Sequence, residues 1–254
     1  MNTKVVVPWH NQDQLTRFLS AWDLARDDRR VIFQQDKDHE GCAVTKNKGV
    51  RAAIDSGATI VIVLDDDCFP EGDQTLDAFM RKHKEALEPQ PVTMFQGVTS
   101  PPSRGTPYLN RAVTMPVAAS MGFWTEIGDY DALGQLVHGA THPMIFQRET
   151  IFGRYFPLCG MNLAFRATEW PWCQFIDVSR FDDIWQGFLW QKNAYRNGQC
   201  FNLAGPLVRH SRQSNVWKNL RDETLHLEAN ESLWSDIFHS TAASYDALRA
   251  LLPV

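Results

Sequence analysis

The sequence predicts an α/β protein built on a mixed, mainly parallel sheet with helices on both faces. Three observations carry that reading. Short apolar runs alternate with segments whose apolar residues recur at helical spacing. The run Ala58-Thr59-Ile60-Val61-Ile62-Val63-Leu64 is apolar almost throughout, as a strand buried on both faces must be. Three consecutive aspartates, Asp65, Asp66 and Asp67, follow it, at the carboxyl end of a strand, where open α/β sheets collect their ligands.

The elements follow in order. Val5-Val6-Val7 is a strand that breaks into a loop at Pro8-Trp9-His10-Asn11, and residues 13–24 place Leu15, Phe18, Leu19 and Trp22 at helical spacing. Val31-Ile32-Phe33 is a second strand, ending in Gln34-Gln35-Asp36. Residues 45–56 read as a helix with Val50, Ala53 and Ile54 on one face. After the third strand and its aspartates, residues 73–87 are helical through Leu76, Phe79, His83 and Leu87, and 92–98 read as another strand of the sheet. The later half is rich in aromatics: Phe165, Trp170, Trp172, Phe175, Phe181, Trp185, Phe188 and Trp190. Core packing is their expected role, with a stacking platform for a base or sugar as the alternative. Residues 225–252 read as helical.

Composition narrows the classes of function. The chain has 254 residues and a formal net charge of −5, and its basic residues form no stripe, which argues against strong general binding to nucleic acid. Cys42, Cys68, Cys159, Cys173 and Cys200 are odd in number and contain no CxxC pair, the pattern of reduced thiols. No apolar run approaches the roughly 20 residues that span a bilayer. A soluble, cytoplasmic protein is expected.

The aspartate triplet carries the first chemistry. A hard cation such as Mn²⁺ or Mg²⁺ takes oxygen ligands and leaves positions open for substrate phosphates, so carboxylates fixed at a strand end suit a metal holding a diphosphate. A solvated acidic turn is the other reading.

Taken with the Val7 to Asn11 loop and the stretch from Asn47 to Ala53, this segment resembles the nucleotide-binding half of a GT-A glycosyltransferase, with its Rossmann-type sheet. The resemblance narrows at Asp65-Asp66-Asp67-Cys68-Phe69, which matches the DDDCF segment of the plant reversibly glycosylated polypeptides, the UDP-arabinopyranose mutase family. Collinear blocks follow. Gly122-Phe123-Trp124 and Ile127-Gly128-Asp129-Tyr130-Asp131-Ala132 are similar to GLW and IPDYDA. Residues 156–165 nearly repeat FPMCGMNLAF, 180–187 resemble RYDDMWAG, and His210-Ser211, Ser214-Asn215 and Asn219-Leu220 resemble HSKASNPFVNL.

The resemblance implies one GT-A-like domain over 1–254, with a nucleotide-binding half (1–98), a sugar or acceptor half (99–224) and a C-terminal helical segment (225–254). It implies a DxD pair in Asp65 and Asp67, with His210 as the late histidine completing the metal shell; an imidazole favours Mn²⁺ over Mg²⁺. The nucleotide- and sugar-binding set is expected to comprise Pro8, His10, Asn11, Asp36, Lys46, Asn47, Arg51, Asp66, Gly160 and Asn162. For Asp36 an ordinary turn is the competing reading, and for Gly160-Met161-Asn162 a tight turn. Asp182 and Asp183 would stand near the anomeric carbon as base or charge stabiliser, and a helix N-terminus would equally favour them.

Residues 104–111, Arg-Gly-Thr-Pro-Tyr-Leu-Asn-Arg, are similar to the family's RGYPFSLR. By that match Arg104 is the reversibly glycosylated position and Arg111 its helper. A guanidinium stays protonated, so the chemically simpler role is to clamp the departing diphosphate; a plain surface loop is the remaining reading. Past Arg111 the sequence reads Ala112-Val113-Thr114-Met115-Pro116, where the family has the shorter EGVP.

The expected function is metal-dependent pyranose/furanose interconversion of UDP-arabinose or a similar UDP-sugar. The alternative is a glycosyltransferase passing sugar to a glycan, protein or modified nucleobase. A catalytically silent UDP-sugar-binding protein is the third reading, and a homo-oligomer is left open.

Overall fold

A computed structural model describes residues 2–93, 104, 112–139, 146–211, 215–239 and 250. The elements are β1 (Thr3–Trp9), α1 (Gln12–Ala21), β2 (Val31–Gln35), α2 (Cys42–Asp55), β3 (Ile60–Leu64), β4 (Cys68–Pro70), α3 (Leu76–Ala86), β5 (Gln90–Thr93), β6 (Ala112–Met115), β7 (Val117–Met121), β8 (Trp124–Glu126), α4 (Ala132–His138), β9 (Thr150–Ile151), β10 (Asn162–Arg166), α5 (Asp182–Arg196), β11 (Cys200–Asn202), β12 (Val208–His210), α6 (Val216–Thr224) and α7 (Leu227–His239). Among the described residues no helix is long and apolar enough to cross a membrane.

The central sheet has the order β2-β1-β3-β10-β7-β11-β9. β1 is parallel to β2 and β3, β10 is antiparallel to both its neighbours, and β11 is parallel to β7 and antiparallel to β9. All strands except β10 and β9 therefore point one way, and the sheet is mainly parallel, as predicted.

Helices cover both faces. Val7 lies opposite Phe33 in the register, and Phe33 meets Phe18 of α1 edge-on at 6.4 Å. A Cβ on Gly49 of α2 would instead lie 2.4 Å from Cγ1 of Val6. Successive side chains of a strand face opposite sides, so α1 and α2 sit on opposite faces. The chain adds β2 on one side of β1 and β3 on the other. Their carboxyl ends thus frame the crevice of a topological switch point.

A second sheet, β4-β12-β8, stands beside that crevice. β12 is antiparallel to β4, with His210 opposite Cys68, and parallel to β8, with His210 opposite Glu126.

The strand expected at 92–98 in the main sheet is observed as β5, which among the described residues pairs with β6, antiparallel and outside the central sheet. Alternation identifies a strand but not its partner; residues 94–98 lie outside the described residues. The helix expected over 225–252 is observed as α7, set off from α6 by a turn at Leu225 and His226. Residues 240–249 and 251–252 of that prediction lie outside the described residues.

The aromatics of the later half are core. Trp190 packs edge-on to Phe165 and Phe201, at 5.7 and 5.4 Å. Phe188 meets Trp234 at 4.0 Å, and the Trp185 indole donates to Asn230 Oδ1 at 3.0 Å, which fixes α7 against α5.

Asn162 departs from the expected sugar contact. It is fully buried, and its Nδ2 donates to the carbonyls of Pro206 (2.9 Å) and Phe123 (3.3 Å). Its Oδ1 can only accept, so His83 Nε2 donates to it at 2.8 Å, leaving His83 Nδ1 to accept from the Ser120 hydroxyl at 3.0 Å. Burial pushes the His83 pKa down to about 4, which keeps the ring neutral. The amide is therefore a pin between strands, with no group left for substrate. Asn162→Ala is expected to destabilise by about 2–3 kcal/mol in urea unfolding, since it strands buried partners on α3 and in the β7–β8 and β11–β12 loops. A loss under about 0.5 kcal/mol, the level of an ordinary surface change, would refute this role.

Candidate functional site

The site is organised by a turn. β3 ends at Leu64, and the Cys68 N–H bonds back to the Asp65 carbonyl at 3.0 Å, so Asp65, Asp66 and Asp67 occupy the tight connection between β3 and β4. Its backbone is tied on three sides. The Asp65 N–H donates to Met161 O (3.0 Å), Gln14 Nε2 donates to Asp66 O (2.8 Å), and the Ser211 N–H donates to Asp67 O (3.0 Å).

The three carboxylates have different fates. Lys46 of α2, 3% exposed, places its Nζ 3.0 Å from Asp65 Oδ1 and 3.1 Å from Oδ2. Burial opposes the charge on this lysine, but Asp65, with further help from Asp182 and Asp183, outweighs it and holds the pKa well above its usual value. Asp65, expected to face a metal, is thus engaged by an internal cation. Asp66 keeps a buried Oδ2 without a hydrogen-bond partner. Burial, then Asp67 and Asp65, push its pKa up to about 8.

Asp67 faces His210. The His210 Nδ1 lies 3.0 Å from the Ile127 carbonyl, which can only accept, so Nδ1 carries a proton. That turns Nε2 toward Asp67, with 3.5 Å to Oδ2. Nε2 is buried, and among the described residues it has no hydrogen-bond partner nearer than this Asp67 oxygen. Burial opposes charging of this imidazole, and Asp67 overrides it, so its pKa is raised.

Asp182 and Asp183 form the first turn of α5, the helix N-terminus of the structural reading. Asp183 Oδ2 accepts from the Gly160 N–H at 2.7 Å. Gly160 is required for that approach, because a Cβ there would lie 2.6 Å from the Phe175 ring and 3.1 Å from Asp183 Cβ. Asp182 is buried, with Oδ2 lacking a hydrogen bond. Burial raises the pKa of both; for Asp183, burial and then the charge of Asp182 bring it to about 7, against the pull of Lys46.

A carboxyl whose folded pKa stands above its ordinary 3.8 binds its proton more tightly in the folded state. The resulting stability is complete below that ordinary value and is lost as pH rises through about 7. In the presence of a chelator, melting temperature should therefore fall between about pH 4 and about pH 7, and Asp183→Asn should flatten the slope. An unchanged slope in the variant would place the titration elsewhere.

The other expected residues divide into neighbours and scaffold. His10 is exposed on the loop after β1, and Asn11 caps α1 by accepting from Asp13 N (2.8 Å) and Gln14 N (3.2 Å). Pro8 is buried in β1, opposite Gln34. Asp36 follows β2, and its carboxylate accepts from the Glu40 and Gly41 N–H groups at 2.8 and 3.2 Å, the turn arrangement. Asn47 clamps the backbone of Phe175, donating to its carbonyl (2.8 Å) and accepting from its N–H (2.9 Å). Arg51 is exposed on α2 with its guanidinium 5.5 Å from the Trp170 ring centre. Arg104 is exposed, and Arg111 lies outside the described residues.

One residue went unassigned in the sequence. Asp129, in the loop between β8 and α4, accepts a weak hydrogen bond from Cys159 Sγ at 3.6 Å. Its charge reaches both Asp183 and His210, so it links the two ends of the cluster. The signal was its place in the Ile127 to Ala132 block. That loop is secured by buried Glu223 of α6, which accepts from the Ala132 N–H (2.6 Å) and from Arg180 Nε (3.0 Å).

Among the described residues no group of three or more His, Cys, Asp or Glu side chains is placed to hold a metal ion by itself. The cluster comprises a carboxylate facing an imidazole, a buried cation, and two carboxyls whose pKa values are raised.

Comparison with known proteins agrees with this architecture. A sequence profile of the family described as Reversibly glycosylated polypeptide matches residues 54–250. A protein of Pisum sativum named "Probable UDP-arabinopyranose mutase 1" is 31% identical over 181 residues, covering 64% of this chain and 50% of that protein. "UDP-arabinopyranose mutase 3" of Arabidopsis thaliana is 32% identical over 184 residues, with the same coverage. "UDP-arabinopyranose mutase 1" of Oryza sativa subsp. japonica is 30% identical over 182 residues, again covering 64% and 50%. The chain spans about half the length of these relatives. With the profile covering most of its residues, it belongs to the reversibly glycosylated polypeptide family.

Proposed function

We propose that the chain is an enzyme acting on a UDP-sugar, interconverting the pyranose and furanose forms of UDP-arabinose or a similar pentose with the help of Mn²⁺ or Mg²⁺. The observation that carries this reading is the convergence of the Asp67–His210 pair, Lys46 and the Asp182–Asp183 pair at a sheet switch point, in a family whose relatives are named for that reaction.

The residues fit a cation. His210 presents a buried nitrogen toward the Asp67 carboxylate, the donor set of an open oxygen-and-imidazole site. Asp67 and His210 would hold the metal, and substrate oxygens would complete its shell. When bound, the metal supplies neutralisation of diphosphate charge.

Interconversion requires the bond between the anomeric carbon and UDP to break and re-form, with the ring reopened and closed through a different hydroxyl. Negative charge grows on the diphosphate as positive charge grows on the sugar. Lys46 provides a fixed cation that needs no reorganisation as this happens. Asp182 and Asp183 oppose the sugar charge, and a carboxyl poised at about 7 can take and return a hydroxyl proton near neutrality. Arg104 and Arg111 serve as phosphate clamps in this scheme.

Purified protein incubated with Mn²⁺ and UDP-arabinopyranose, without acceptor, should yield the furanose nucleotide sugar on chromatographic separation. No furanose, with slow release of free UDP, would favour an acceptor-dependent transferase; nucleotide binding without any turnover would leave the silent UDP-sugar-binding protein.

A further inference from the structure

A second cleft, of about 450 Å³, opens between α1 and the small sheet; Thr16, Arg17, Ser20, Phe69, Arg209 and Ser211 line it. We propose that it binds a phosphate group, free or carried by a small phosphomonoester. This inference does not depend on the proposed reaction.

Two guanidinium groups from separate elements converge there. The Arg17 Cζ lies 5.5 Å and the Arg209 Cζ 5.6 Å from the centre of the same Phe69 ring. Two like charges over one ring repel, and the counter-charge at hand is small. Arg209 has Glu126 at 3.4 Å, with both side chains nearly half exposed, where such a pair contributes little. Among the described residues Arg17 makes no ion pair, and its hydrogen bond to Gln14 Oε1 is long, at 3.4 Å. The site is basic within a chain of net charge −5.

The remaining surfaces suit a phosphate ester. Phe69 is 3% exposed and gives a fixed apolar floor. Ser20 and Ser211 add hydroxyl donors, and Arg forks match phosphate oxygens in pairs. The cleft adjoins the aspartate turn through the Ser211 backbone, whose N–H donates to Asp67 O, but its arginines do not face the aspartates. Arg209 precedes His210 along β12, so its side chain points to the opposite side of the strand from the imidazole that meets Asp67. A phosphate held by Arg209 is therefore not the diphosphate held at Asp67.

Isothermal titration calorimetry with inorganic phosphate and with ribose 5-phosphate tests the assignment. Wild-type protein should bind one equivalent, more weakly at high salt. Arg17→Gln/Arg209→Gln, and separately Ser20→Glu, should each lose about tenfold or more in affinity, with UDP binding in Mn²⁺ unchanged. Ribose 5-phosphate binding at least about tenfold more tightly would identify an ester as the ligand; equal affinities would identify free phosphate. The proposal is overturned if both folded variants bind phosphate like wild type, if saturating UDP displaces it, or if wild type shows no saturation by about 10 mM.

Discussion

Replacing Lys46 with methionine is expected to destabilise the protein by about 3–5 kcal/mol, the range for breaking a buried ion pair by removing one member. Lys46 is nearly inaccessible and its Nζ sits within 3.1 Å of both oxygens of Asp65. Without it, Asp65 loses the Lys46 charge while still standing beside Asp66 and Asp67, and Asp182 and Asp183 lose the positive charge that lowers their pKa values. Urea unfolding of Lys46→Met, Asp65→Asn and the double variant measures the coupling. Most of the loss should return in the double variant, because replacing both members of a pair is far less damaging than stranding one. If the double variant is as unstable as Lys46→Met alone, the lysine stabilises through packing on Phe175, whose ring centre is 5.2 Å from Nζ, and not through the pair.

Asp67→Ala and His210→Ala are expected to weaken Mn²⁺-dependent UDP binding by about 100-fold or more, since under the proposed reading each removes a metal ligand and not merely the support of one. The structure separates Asp67 from Asp65 here. Asp67 faces an imidazole whose other nitrogen is fixed on Ile127 O, whereas Asp65 holds a lysine. Calorimetric titration of UDP with Mn²⁺ and with excess chelator gives the readout. Wild type should show a large difference between the two conditions and the variants almost none. A variant that keeps the full difference would remove its residue from the metal site.

Much of the fold was legible because its signals are local. The strand–helix alternation through Leu87 follows from apolar spacing, and the observed helices start and end within a few residues of the expected ones. β5 was recognisable as a strand, but its pairing with β6 is a contact between segments about twenty residues apart, and spacing within one segment says nothing of it. The site divides in the same way. The aspartates at the end of β3 were evident because an apolar run leads into them. Asn162 was misread because a Gly-Met-Asn sequence is equally at home in a pocket and under a sheet, and only the carbonyls of Phe123 and Pro206 decide between them. Asp129 was passed over as one acid in a loop.

The sequence by itself determined that three carboxylates stand at the carboxyl end of a buried strand, and that aromatics would fill the later half of the core. It did so because periodicity and residue type report which surfaces must leave water. What only the tertiary structure decided is which charge each carboxylate meets. Asp65 meets Lys46 of α2, Asp67 meets His210 of β12, and Asp183 meets the Gly160 N–H. Coulomb energy and desolvation depend on distance in space and on burial, and neither can be read from the spacing of charged residues along the chain.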